Sequence, residues 1–269
     1  MDSIYNFHSY KNTKLHYKKS GNGKNILFAF HGFGQDINYY QKLEKQLWCK
    51  YTIYFFDLFH HGKSTWANPP FFLEKLYWKE LMQDFLKKEN IEKFSLMGYS
   101  LGGLLVLTTL EVFENQVEKI YLIATDGLHT FSLYHLVMYS KWTRSIFYYT
   151  LFLSKPFEFL ASILQKTGLL QKDDVKFVVN QINSKEKQLK LYNTWVLYSK
   201  LQLNIANIAQ VIRKYEIKVI AFAGKYDNIV PIKTMQSFLS QFDVYQLEIL
   251  DVAHPQMLHA TADFFEKLK

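Results

Sequence analysis

One cysteine, five prolines and eleven glycines in 269 residues already narrow the choices. Cys49 has no second cysteine with which to form an internal disulfide, and one thiol cannot build a zinc site of the paired-cysteine type. No stretch approaches the roughly 18 uninterrupted apolar residues that a membrane-spanning helix needs. The opening Met1-Asp2-Ser3-Ile4-Tyr5-Asn6-Phe7 lacks the basic-then-apolar pattern of a secretory signal. Internal repeats and low-complexity tracts are also missing. These absences predict a soluble, cytoplasmic protein without a structural metal. At 49% hydrophobic and 17% aromatic residues, the chain is far too apolar for disorder and long enough to bury a sizeable core.

Lys and Arg number 32 against 24 Asp and Glu, a formal charge of +8. Such an excess can mark a nucleic-acid or membrane partner. The chain is equally rich in Asn, Ile, Phe and Tyr, a bias that AT-rich codons produce, so the net charge by itself argues for neither, and no nucleic acid is expected. Its distribution is more informative. Residues 127–213 hold eleven Lys/Arg and four Asp/Glu, nearly the whole excess.

Short apolar runs recur along the chain. After a hairpin-like opening (4–10 and 14–19), they fall at 26–30, 52–56, 94–97, 119–124, 218–223 and 245–250. Uniformly apolar runs of this length, bounded by turn residues, fit strands buried on both faces of a parallel sheet. Helical spacings lie between them. Tyr39, Leu43 and Leu47 are expected to share a face, as are Leu76, Met82, Phe85 and Leu86. Further helices are expected at 104–113, 205–215 and 261–268. The alternation predicts an α/β fold, a mostly parallel sheet flanked by helices. It breaks once, between 127 and about 203, where only helix-like, aromatic-rich segments occur. The domain reading is therefore a core of residues 1–126 and 204–269, interrupted by a helical cap or lid at 127–203.

Loops at predicted strand ends carry the chemistry. Gly98-Tyr99-Ser100-Leu101-Gly102 stands between the strand at 94–97 and a helix. A serine on so sharp a turn has its hydroxyl thrust above the sheet, and small residues two before and two after let the turn close. A hydroxyl needs a base at neutral pH. His254 follows the last predicted strand, on the same edge of the sheet as Ser100. A carboxylate must orient that imidazole. Asp227, in Gly224-Lys225-Tyr226-Asp227-Asn228-Ile229-Val230-Pro231, follows the strand at 218–223. Asp126, just past 119–124, is the rival acid; a turn or hinge at the start of the cap is its alternative role. His31-Gly32-Phe33-Gly34 follows the strand at 26–30, so the Phe33 and Leu101 N–H groups are the expected oxyanion donors.

With these motifs in view, the chain resembles the α/β-hydrolase superfamily from about Asn25 to Lys269. Asp57-Leu58-Phe59-His60-His61-Gly62-Lys63-Ser64 is similar to the family's Asp-x-x-Gly-His-Gly-x-Ser turn, with His60 in place of a glycine, and reads as a brace for the site. Ala253 stands where a glycine commonly precedes the histidine. The resemblance implies an α/β-hydrolase fold with the order Ser100, Asp227, His254 that such enzymes use. A serine nucleophile argues against dehalogenases and epoxide hydrolases of this fold, which use aspartate there. The loop at His31 differs from the His-Gly-Gly-Gly type of some esterases and lipases.

The expected function is hydrolysis of carboxylic esters with small or medium apolar acyl or aryl groups, with no metal or organic cofactor. Carbon–carbon bond cleavage by the same triad is the second enzyme reading, and a noncatalytic hydrolase-fold ligand receptor the third. The cap's aromatics and lysines admit two readings: packing with a solvated outer face, or weak contact with a membrane surface.

Overall fold

The computed structural model of the chain describes residues 3–67, 72–125, 138, 140–152 and 184–268. The chain divides into two compact units, one of Met1–Asn68, Glu74–Leu128 and Leu201–Lys269, the other of Pro69–Leu73 and His129–Lys200.

The first unit is built on a nine-stranded sheet. Its strands are β1 (Ile4–Tyr10), β2 (Thr13–Ser20), β3 (Asn25–Phe30), β4 (Tyr51–Phe56), β5 (Thr65–Trp66), β6 (Phe94–Tyr99), β7 (Val117–Ile123), β8 (Lys218–Gly224) and β9 (Gln246–Leu250). The spatial order is β1-β2-β4-β3-β6-β7-β8-β9, with the two-residue β5 pairing β2. Pairings involving β2 are antiparallel, and those from β4 through β9 are parallel. The central strands are apolar on both faces because helices cover both, which is why their sequence runs rather than alternates. Phe28, Phe56, Phe85 and Phe94 form one aromatic cluster, with Phe28 stacked on Phe94 at 4.6 Å.

The helices of this unit are α1 (Gln41–Leu47), α2 (Lys75–Glu89), α3 (Leu101–Val112), α6 (Ile205–Lys214), α7 (Ile232–Leu239) and α8 (Met257–Lys267). α2 ends at Asn90, whose left-handed backbone lets its N–H reach the Leu86 and Lys87 carbonyls. α6 begins at Asn204, whose side chain accepts from the Asn207 N–H and satisfies one orphan donor of the first turn. Gly102 through Leu110 in α3 are buried, so this helix is apolar all round and lies within the core.

Two expected facings are corrected. Tyr39 is exposed and Tyr40 takes the core position. A 3₁₀ turn at Ile37–Tyr40 precedes α1, and its three-residue repeat turns Ile37 and Tyr40 inward. Leu76 is also exposed, while Trp78, Leu81, Met82, Phe85 and Leu86 form the buried stripe of α2. Six residues separate Leu76 from Met82, which at about 100° per residue leaves Leu76 about a third of a turn out of phase.

The second unit contributes α4 (Lys141–Phe152) and α5 (Lys185–Tyr198) among the described residues. They meet through Phe147, stacked on Trp195 at 5.1 Å, and Tyr148, edge-on to Tyr192. Phe131, Tyr134, Tyr139, Phe157, Phe159 and Lys155 of the expected cap, and the rival acid Asp126, lie outside the described residues. Among the described residues, no helix is long and apolar enough to cross a membrane.

Candidate active site

Ser100 sits between the end of β6 and the first residue of α3, with φ of 50° and ψ of −119°. A positive φ on a residue with a Cβ is a strained conformation held by its surroundings. The glycines on either side make it affordable. A Cβ on Gly98 would come within 2.5 Å of the Gly102 carbonyl oxygen, and one on Gly102 would run into the Phe30 carbonyl oxygen. The turn is also tied down by Ser100 N–H, which donates to the Ile123 carbonyl at 3.0 Å.

His254 opens a short 3₁₀ turn after β9. Its Nε2 lies 3.1 Å from Ser100 Oγ, and its Nδ1 lies 2.7 Å from Asp227 Oδ2. Asp227 follows β8 and is itself held in place. Its Oδ1 accepts from the N–H groups of Ile229 at 3.0 Å and Val230 at 2.8 Å, which leaves Oδ2 for the imidazole. Asp227 and His254 are both buried, and Ser100 is half-buried. Three side chains separated by 127 and 27 positions are thus joined in one hydrogen-bonded row.

Tyr99 escaped the sequence reading. Its hydroxyl donates to the His254 carbonyl at 2.8 Å, and its ring lies 5.1 Å from the imidazole. Burial, reinforced by the Asp227 charge, raises the phenol pKa, so it stays a neutral donor. No local signal marks a contact across 155 positions.

The loop after β3 carries the expected oxyanion donor Phe33, and Leu101 opens α3 beside Ser100. The loop approaches the serine closely, since a Cβ on Gly32 would lie 3.3 Å from Ser100 Cβ. Asp57 anchors the neighbouring turn after β4. Its carboxylate accepts from Ile37 N–H at 3.0 Å and Lys63 N–H at 2.8 Å, and meets His16 Nδ1 at 2.7 Å.

A model of the family described as alpha/beta hydrolase fold matches residues 25–259. The chain belongs to the alpha/beta hydrolase fold family. Among curated relatives of this family member, an uncharacterized Mycobacterium bovis protein is 25% identical over 112 residues, 42% of this chain and 32% of that one. The chain thus spans only about a third of that relative's length. The Mycoplasma pneumoniae protein named "Putative esterase/lipase 2" is 24% identical over 90% of this chain and 86% of its own. Among solved structures, a thermophilic esterase from Thermogutta terrifontis superposes with a TM-score of 0.68 at 12% identity, covering 100% of this chain and 97% of that one. The likeness in structure shows the hydrolase fold.

One departure of the chain from its family's turn has a visible consequence. His60, where the related motif has glycine, adopts φ of 65°. Burial also depresses its imidazole pKa from 6.5 to about 4. Unfolding restores the ordinary proton affinity, so between about pH 6.5 and pH 4 the unfolded chain binds a proton that the folded one does not. Folding stability contributed here is present above that window and is lost as the pH falls through it. His60→Gly is expected to stabilise the protein by up to about 1 kcal/mol through relief of backbone strain. It should also flatten the loss of stability in mild acid. Urea unfolding at pH 7.5 and pH 5 measures both effects; equal losses on acidification in wild type and variant would contradict the second.

Among the described residues, no three His, Cys, Asp or Glu side chains converge so as to hold a metal ion.

Proposed function

We propose that this chain is a serine hydrolase that cleaves carboxylic-ester-like substrates through an acyl-enzyme. The observation that carries the reading is the row Ser100 Oγ, His254 Nε2, His254 Nδ1, Asp227 Oδ2, closed at 3.1 Å and 2.7 Å. In this reading Ser100 attacks the carbonyl carbon as His254 takes the hydroxyl proton. Asp227 accepts from His254 Nδ1–H, which leaves Nε2 with its lone pair toward the serine and stabilises the imidazolium that forms. The N–H groups of Phe33 and Leu101 receive the oxyanion. His254 then protonates the leaving alkoxide, and water repeats the sequence on the acyl-enzyme with the same base. An esterase/lipase name among the curated relatives supports an ester as substrate.

The substrate proposed is a small or medium apolar acyl or aryl ester, with the 127–203 segment acting as a helical cap. The aromatic character of α4 and α5 supports the apolar preference. Trp142, Ile146 and Tyr149, at helical spacing on α4, are 82%, 64% and 66% exposed, which supports weak contact of the cap with a membrane surface. A cytoplasmic setting completes the proposal and suits a chain with one exposed free cysteine, Cys49.

The test combines fluorophosphonate labelling with a p-nitrophenyl ester panel of increasing acyl length, presented free and in anionic vesicles. Labelling at Ser100 with turnover of the shorter esters is the expected result. Labelling without ester turnover, joined to cleavage of a vinylogous diketone, would move the reading to carbon–carbon hydrolysis. Neither labelling nor turnover would leave a ligand receptor.

A further inference from the structure

We infer that His31 and His61 form a reciprocal clasp of two neutral imidazoles, and that His61 is a positioning residue for the oxyanion loop. The inference rests on the acyl-transfer reading above. It starts from two backbone donors whose roles are not in question. The Gly34 N–H donates to His61 Nε2 at 3.0 Å, and the Leu58 N–H donates to His31 Nε2 at 3.0 Å. A nitrogen that accepts from a peptide N–H carries no proton of its own. Each ring must therefore carry its proton on Nδ1, and each Nδ1 has a carbonyl to receive it: Gly32 O at 2.7 Å for His31 and Phe59 O at 3.1 Å for His61. Asp57 Oδ1 lies 3.8 Å from His31 Nε2, too far for a hydrogen bond, and already accepts from Ile37 N–H. It gives no reason for a second proton on that ring.

The two loops thus exchange imidazoles. His31 belongs to the loop after β3 and holds the turn after β4; His61 belongs to that turn and holds the loop. The peptide groups they grip are those on either side of Phe33. A trans peptide is planar, so its C=O and N–H point in opposite directions. His31 Nδ1–H fixes the Gly32 carbonyl, and with it the direction of the Phe33 N–H in the same peptide. His61 Nε2 fixes the Gly34 N–H, and with it the next peptide. Rotation of the Gly32–Phe33 peptide would turn the Phe33 N–H away, and the Gly34 N–H bond to His61 pins the loop on the far side of the Phe33 Cα. Both rings are buried and packed edge to face at 5.4 Å, and the Phe33 ring meets His61 edge-on at 5.2 Å. His61 touches the loop rather than the reacting atoms, so its contribution is to transition-state stabilisation through Phe33 and not to substrate affinity.

Glutamine can present an oxygen where His61 presents Nε2, whereas leucine cannot. His61→Leu is expected to lower kcat by about 10- to 100-fold with KM within about twofold, a fraction of what losing an oxyanion donor costs. His61→Gln should recover kcat to within about fivefold of wild type. Fluorophosphonate labelling of wild type, and its absence in Ser100→Ala, is established first, so that failure of the hydrolase reading is recognised separately. A His61→Leu variant that turns over normally, or a His61→Gln variant as impaired as His61→Leu, would overturn the inference. The ¹⁵N spectrum of the wild-type imidazoles at neutral pH tests the clasp whether or not the variants fold. Unprotonated Nε2 on both His31 and His61 is expected; a proton on Nε2 of either ring refutes the exchange.

Discussion

Ser100→Ala is expected to remove turnover of a p-nitrophenyl ester by about 10⁶-fold, together with all fluorophosphonate labelling, in a protein that melts as wild type does. Ser100 contributes its Oγ to one long bond with His254 and is half-buried at the sheet edge, so little packing is lost. His254→Ala should be nearly as damaging. The two losses should not add in the double variant, because serine and histidine act in one step. Ser100→Gly separates chemistry from stability. Its backbone at φ 50°, ψ −119° suits glycine, so this variant should be inactive yet about 1 kcal/mol more stable than Ser100→Ala. Near-wild-type turnover by Ser100→Ala or His254→Ala, with folding verified by circular dichroism, would remove the triad from the proposal.

Asp227→Asn is expected to cost about 10⁴-fold in turnover, by analogy with serine proteases. Asp227 Oδ1 accepts from Ile229 and Val230, and an asparagine oxygen can keep both bonds. Its amide nitrogen would then face His254 Nδ1, where Oδ2 now lies at 2.7 Å. A donor in that place forces the ring proton onto Nε2, facing Ser100, and the base is lost with its geometry intact. Asp126→Asn, made alongside, should do much less. A severe loss in Asp126→Asn with a mild one in Asp227→Asn, on the same ester, would reverse the choice of acid.

The strands at the centre of the sheet could be read from the sequence because both of their faces are covered. Leu27 through Phe30 and Ile53 through Phe56 are all buried, so no alternation obscured them. The two-residue β5 could not be read, since Thr65 and Trp66 pair with Thr13 and Lys14 by backbone alone. Tyr39 falls off the core face because a 3₁₀ turn precedes α1, and Leu76 because its six-residue offset from Met82 is out of helical phase. At the site, Ser100 and the residues named with it follow strands, and strand ends in a parallel sheet share one edge, so order along the chain was enough to bring them together in outline. The supports of that site were hidden for the opposite reason. Tyr99 to His254 and Gly34 to His61 are contacts between a backbone group and a side chain of a distant loop, and a backbone group leaves no mark in the residue sequence.

The insertion of the second unit between β7 and β8 also orders events in time. Lys119 of β7 pairs with Lys218 of β8, and Tyr121 of β7 packs against Phe265 of α8. On a ribosome, β7 therefore emerges with one edge unpaired and keeps it so until the residues of the second unit have been made. At about 5–20 residues per second, the ~95 residues concerned take roughly 5–20 s. An open strand edge is a template for pairing with other chains, so this interval is the vulnerable one for the nascent protein. Ser100 is in the emerging chain throughout, but the proposed acid and base, Asp227 and His254, follow β8 and β9. Under the proposed triad, competence therefore waits for β8 and β9 rather than accumulating along the chain, and a chain terminated before them carries an inert hydroxyl.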